Sequence, residues 1–352
     1  MAYTTIDNGE EHFNTVTYTG TGSSRSITGL EFGPDWVWIK RRNGAYSHYL
    51  YDSTRGTGKQ LYAEKTDAEA TDNTEVTAFN SDGFSLGSGS GTNENTNTQV
   101  AWCWKANGGT TSSNSNGTIT STVQANTTAG FSIITYTGNF TDNQTIGHGL
   151  SQAPEALIIK NRDTGSTSWV IYHEGLNFPT KDLIYFNTNA ANDHDPTFNN
   201  TAPSSSVITM GAYSFNNRSG DSHVCYAFHS VKGYSKFGKY TGNITSGSDG
   251  VFVYTGFKPA WLMVKSDSNA GQEWVIFDNK RDSFNQMDAW LYANATTAED
   301  STGDERDVDF LSNGFKFRNA GGPTSYSGRT YIYLAFAEHP FVSSEGVPVT
   351  AR

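Results

Sequence analysis

Pro34-Asp35-Trp36-Val37-Trp38-Ile39-Lys40 returns as Pro154-Glu155-Ala156-Leu157-Ile158-Ile159-Lys160 and again as Pro259-Ala260-Trp261-Leu262-Met263-Val264-Lys265. A β-strand places alternate side chains on opposite faces, so Trp36 and Trp38 share one face and Val37 and Ile39 the other. All four are apolar, as are both faces in the second and third versions. A strand with one wet face would alternate apolar with polar. These strands are therefore expected to be covered twice. One face fills the core of its own copy, and the other needs a neighbouring copy or another subunit.

The repetition extends outward from this stretch. Tyr18-Thr19-Gly20, Tyr136-Thr137-Gly138 and Tyr240-Thr241-Gly242 each open a copy, and Tyr49-Leu50-Tyr51-Asp52, Val170-Ile171-Tyr172-His173 and Val275-Ile276-Phe277-Asp278 follow the lysine. Late strands at Phe84, Ile208 and Phe315 and terminal strands at Trp104, Phe228 and Phe336 complete the series. Between the prolines the periods are 120 and 105 residues. That exceeds the ~20 to 50 residues of solenoid or propeller-blade repeats and matches a whole sandwich domain of ~100. The sequence predicts an all-β chain of three tandem jelly-roll-like antiparallel β-sandwich repeats. Their expected limits are 1–105 with an N-terminal arm, 130–235 and 236–341, with a Gly/Asn/Ser/Thr-rich linker at 106–129 and a C-terminal tail at 342–352. Glu64 to Ala70 and Thr296 to Asp300 read as single helical turns.

Composition supports the same class. Aromatic residues reach 13% while charged residues are only 17%, and the polar character comes from Thr, Ser, Asn and 36 Gly. Disordered chains lack such aromatic content, and short strands joined by turns have it. The formal charge of −11 argues against nucleic acid as a partner. No apolar run approaches the ~18 residues of a membrane span, and no secretory leader is evident at the start. Cys103 and Cys225 fall in apolar strands and are expected to be buried free thiols.

No catalytic motif, metal-ligand spacing or cofactor loop emerges, so no catalytic, metal or cofactor-binding residue is assigned. The recurring Asp52 with Arg55 and Asp278 with Arg281 read as structural ion pairs, although a carboxylate held by an arginine is a conceivable catalytic group. Glu69 and Glu299 read as capping or surface residues, and a glycosidase would require a second carboxyl ~5 to 10 Å away. The acidic stretch 299–309 and the segment 192–195 carry oxygen ligands suited to calcium but lack EF-hand spacing, and read as solvated loops. Tyr46, Tyr185, Tyr213 and Tyr326 lie in less regular segments and are the candidates for ligand contact.

Phe32-Gly33-Pro34-Asp35-Trp36-Val37-Trp38-Ile39-Lys40, Tyr51-Asp52-Ser53-Thr54-Arg55-Gly56, Ser81-Asp82-Gly83-Phe84-Ser85-Leu86-Gly87 and Val100-Ala101-Trp102-Cys103-Trp104-Lys105 together resemble an uncharacterised repeat domain common in marine tailed phages. The likeness continues through Gly256-Phe257-Lys258-Pro259-Ala260-Trp261 and Leu334-Ala335-Phe336-Ala337-Glu338-His339-Pro340-Phe341. That family is held to be similar to concanavalin-like lectin sandwiches and is described as virion structural or tail-fibre-like. The resemblance implies a virion protein made in the host cytoplasm, without enzymatic activity. It would decorate the capsid or form a head fibre, with other virion proteins and host surface glycans as partners. A tail-associated receptor-binding protein is the alternative, and a glycan-degrading enzyme a further one. A homotrimer is attractive, but three unequal copies in one chain would also serve as a pseudo-trimer. Residues before Phe13 and after Pro340 are the expected attachment arms.

Overall fold

In each copy the doubly apolar strand lies inside the larger of two sheets, where hydrogen-bonded neighbours flank it on both sides. A computed structural model describes residues 3–179, 183–245, 250–302, 306–319 and 321–348. The first copy's large sheet runs, in spatial order, Phe13–Thr19, Thr98–Trp104, Trp36–Arg41, His48–Asp52, Lys59–Tyr62 and Ala70–Thr71. The third runs Ser235–Thr241, Thr330–Pro340, Phe257–Ser266, Val275–Asp278 and Leu291–Tyr292. The second has the same core order of Phe131–Thr137, Ser222–Phe228, Ala156–Asn161, Val170–His173 and Ile184–Tyr185. Opening and closing strands of a copy are thus neighbours, and every ladder between named strands is antiparallel.

A smaller sheet covers one face of each large sheet. Arg25–Thr28, Gly83–Leu86 and Val76–Asn80 supply it in the first copy, Gln144–Gly147 and Val207–Met210 in the second, and Phe252–Tyr254, Gly314–Phe317 and Val308–Leu311 in the third. Val37 and Ile39 pack there with Ile27, Val76, Phe84 and Leu86, and Leu157 and Ile159 pack with Ile146, Ile208 and Met210. Cys103 and Cys225 are free thiols buried in these private cores. The chain is all-β and sandwich-type.

The opposite faces meet each other. Trp36, Trp38, Trp102 and Trp104 from the first copy, Phe131, Ile158, Tyr226 and Phe228 from the second, and Phe237, Trp261, Met263 and Phe336 from the third form one continuous core. Trp36 stacks on Tyr226 at 4.3 Å between ring centroids, Trp104 meets Trp261 edge-on at 5.7 Å, and Phe228 meets Phe336 at 5.8 Å. Aromatic rings bury large areas and favour such offset and edge-to-face contacts. The cover that the second apolar face requires is therefore the other two copies.

The Tyr-Thr-Gly signature marks one junction three times. The phenols of Tyr18, partly buried, and of Tyr136 and Tyr240, buried, donate to the carbonyls of Thr92, Asn216 and Thr324 in the loop before the closing strand. At the glycine the same loop comes so close that a Cβ would stand 2.1 to 2.4 Å from a carbonyl oxygen of Glu94, Arg218 or Tyr326. Only glycine fits there.

Two expectations change. Within 106–129, Ser112–Asn114 and Ser121–Asn126 are strands, and the latter pairs with Phe131–Thr137. Thr122 and Val123 favour extended backbone and let the segment add to an open sheet edge instead of running as a bare linker. The preceding turn is gripped by Asp35, whose carboxylate accepts from the backbone N–H groups of Ala106, Gly108 and Gly109. Neither 64–70 nor 296–300 is helical, because Thr66 O and Glu69 N–H, like Thr296 O and Glu299 N–H, bond to a neighbouring copy, while Ala70 and Asp300 pair within their own copy. The segment 3–12 lies against the third copy, where Tyr3 donates to the Gly256 carbonyl, and Ile6 lies in the shared core. Farther along the chain, the Ser344 N–H donates to Asp7.

Tyr136→Phe leaves the Asn216 carbonyl buried without its donor. A loss of about 1 to 3 kcal/mol is expected in denaturant unfolding, with an unchanged m-value.

Candidate functional site

The acid and base that recur at the end of the fourth strand are held inside the molecule. The side chains of Asp52, Arg55, Asp278 and Arg281 are wholly inaccessible to solvent, and each arginine Nε donates to its aspartate, 2.5 Å away. Remaining donors are also consumed. Arg55 reaches the carbonyls of Leu50 and Lys59 and the Glu69 carboxylate, and Arg281 reaches the Ile276 carbonyl and Glu299.

Glu69 and Glu299, expected on caps or at the surface, instead staple one copy to another. Arg162 of the second copy forks onto Glu69 at 2.8 and 2.9 Å, and Arg42 of the first copy forks onto Glu299 at 2.7 to 3.1 Å. The backbone follows, with the Glu69 N–H donating to Arg162 O and the Glu299 N–H to Arg42 O, both at 2.7 Å. Burial raises the affinity of both carboxylates for a proton, but the arginines outweigh it and hold each below the ordinary glutamate range.

The repeated lysine belongs to the same seams. Lys40 donates to Thr296 O of the third copy and Lys160 to Thr66 O of the first, while Lys265 binds Gln272 O within its own copy. Burial brings all three ammonium groups down to about 8. Indole N–H groups add further links, from Trp169 to Tyr62 O and from Trp274 to Tyr185 O. His48 occupies the corresponding position in the first copy. Its Nδ1 accepts from the Trp38 indole, which leaves the proton on Nε2 and the ring neutral.

The third seam departs from this scheme. Where the first and third copies place Asp and Arg, the second has His173 and Leu176, both buried. His173 Nε2 lies 3.1 Å from Tyr333 O of the third copy. The second copy's loop docks without an arginine fork, through backbone bonds from Asn192 N–H to Asp267 O and from Gly271 N–H to Asn189 O, each at 2.9 Å, and through the Asn189 amide, which donates to Glu273 at 3.2 Å. The seams thus run head to tail, first onto second, second onto third, and third back onto first.

The four candidate tyrosines are not gathered into one site. Tyr46 is half-buried beneath the Arg41 guanidinium, 3.3 Å from the ring centroid, and Tyr185 packs edge-on against Phe215. Tyr213 is partly buried in the loop whose carbonyl receives Asn217 N–H, and Tyr326 is exposed with Arg329 over its ring at 4.5 Å. Among the described residues no group of three or more acidic, histidine or cysteine side chains is placed to hold a metal ion, and residues 303–305 of the acidic stretch lie outside them.

What the sequence reading missed is a groove in the third copy. Its walls and floor include Lys258, Lys280, Ser283, Phe284, Met287 and Phe310, and it encloses about 530 Å3. The signal available was spacing, since Arg55 to Leu61 spans six positions while Arg281 to Leu291 spans ten.

These features define a single-chain ring of three β-sandwiches closed by hydrogen-bonded seams, two of them salt-bridged. The chain belongs to the family described as a domain of unknown function, DUF7483, whose model matches residues 8–340. No curated protein matches the chain.

Removing one partner of a buried charge network leaves the others unpaired, so Arg55→Ala should cost about 3 to 5 kcal/mol, against at most ~0.5 for Arg218→Ala in an exposed pair. Denaturant midpoints compare the two. Acid lability has a separate origin. Burial lowers His173 and His223 to about 4, partly offset at each by backbone carbonyls, and it pushes His48 well below its ordinary value. The unfolded chain binds these protons near pH 6.5, so stability falls as pH drops from about 6.5 toward 4. Glu174, raised to about 7 by burial and Glu155, opposes this in part. Thermal unfolding between pH 7.5 and 4 should show the decline, with a shallower slope for His173→Gln.

Proposed function

We propose that the protein is a structural component on the outer surface of a tailed-phage particle, where it decorates the capsid or forms a head fibre and adheres weakly to glycans. The observation that carries this reading is the fate of the reactive side chains. Asp52, Arg55 and Glu69, with Asp278, Arg281 and Glu299, are consumed in seams between copies. The outer surface is left to loops and small sheets on an acidic body. Such a body suits display and attachment, and many displayed copies make weak contacts effective. The resemblance of the repeat to domains of marine tailed phages points the same way.

The second reading, a receptor-binding protein on the tail, draws on the exposed Phe284 beside its groove. Copy number separates the two. Cryo-electron microscopy with quantitative mass spectrometry of intact particles should find tens to hundreds of copies over the capsid. A few copies at the tail would favour the second reading, and absence from particles would overturn both.

A further inference from the structure

We propose that the groove of the third copy is a binding site for a neutral oligosaccharide, with Phe284 as the platform on which one sugar ring stacks. The inference rests on the adhesive part of the function proposed above and assigns it a site.

Four additional residues between Arg281 and Leu291, relative to the first copy, form the wall of this groove. The insertion is firmly rooted. Asn285 Nδ2 donates to Phe310 O and its Oδ1 accepts from Phe310 N–H, while Met287 and Val308 exchange backbone hydrogen bonds at 3.0 Å. Above these anchors Phe284 is 80% exposed, the most exposed large hydrophobic residue among those described. A phenyl ring on an anchored loop lacks cover in the free protein and loses little freedom when a ligand covers it.

The surroundings select the ligand class. Met287 and Phe310 give an apolar floor, and Ser283, Asn279 and Asp282 place hydroxyl, amide and carboxylate groups along the groove. A second hollow of about 420 Å3, lined by Asn285, Gln286, Asp309 and Arg318, shares Asn285 with the first. Apolar C–H faces and hydroxyl edges of linked sugar rings match that interleaving. The cations are already neutralised: Lys258 pairs with Glu338 at 2.6 Å, Lys280 with Glu10 at 2.9 Å, and Arg318 with Asp309. An anionic ligand would find no free positive charge. A protein partner needs ~800 Å2 per side with clustered anchors, and here one ring stands among polar groups.

The test uses the full chain and a panel of neutral hexasaccharides with cello-, malto-, xylo- and chito-type linkages, followed by saturation-transfer NMR and calorimetry. At least one should bind with a Kd from about 10 μM to 1 mM, and Phe284→Ala should weaken it at least roughly tenfold. Phe284→Trp should retain binding, and Phe140→Ala, at an exposed ring of the second copy, should change nothing. No binding by the unmodified chain at millimolar sugar, or equal binding by Phe284→Ala, overturns the proposal. Circular dichroism of each variant confirms folding. Particles carrying Phe284→Ala should incorporate the chain in normal amount, so loss of sugar binding is distinguishable from failure of the surface reading.

Discussion

A strand that is apolar on both faces must be buried twice, and that requirement organises the molecule. The small sheet of each copy meets it on one side. On the other, the face bearing Trp36 and Trp38 has counterparts only in the faces bearing Ile158 and Trp261, so three sheets turn inward on one another. At ~25 cal/mol per Å2 of apolar surface, a cluster of indole and phenyl rings this large is the dominant favourable term in bringing the copies together. A single copy, separated from the others, would expose a patch larger than soluble monomers normally tolerate.

Hydrophobic burial is not directional, and the seams supply direction. Each forward loop carries carbonyls and, in two cases, a glutamate, while the next copy offers a buried lysine or an indole and, in the same two cases, an arginine fork. Contacts of this head-to-tail kind generate an open filament unless the rotation closes, and here the third copy returns to the first through Glu299 and Arg42. Closure within one chain removes the need for further subunits to satisfy these faces. It also explains why the copies differ. A true trimer must repeat each residue three times, whereas this ring places Asp and Arg at two seams and His173 with Leu176 at the third.

Much of this is legible in the sequence because it depends on period. Alternation of apolar residues shows the doubly buried strand, and recurrence of Tyr-Thr-Gly and of the proline-to-lysine stretch shows three copies of one topology. Long-range pairing is not legible. Asp52 and Arg55 are three residues apart and readable as a pair, but Arg162 lies 93 positions from Glu69, and no local rule connects them. The segments at 64–70 and 296–300 look helical because Ala, Glu and Lys favour helix locally, and partners in a neighbouring copy override that weak preference. The groove at Phe284 escapes for another reason. An insertion in one copy breaks the repeat, and reading by repetition discards what does not recur.

Ring closure predicts that the copies unfold together. Differential scanning calorimetry of the purified chain measures this directly. A single transition with calorimetric and van't Hoff enthalpies in a ratio near one is the predicted result, and separable transitions, or a ratio near three, would show that the copies are independent domains and contradict the account.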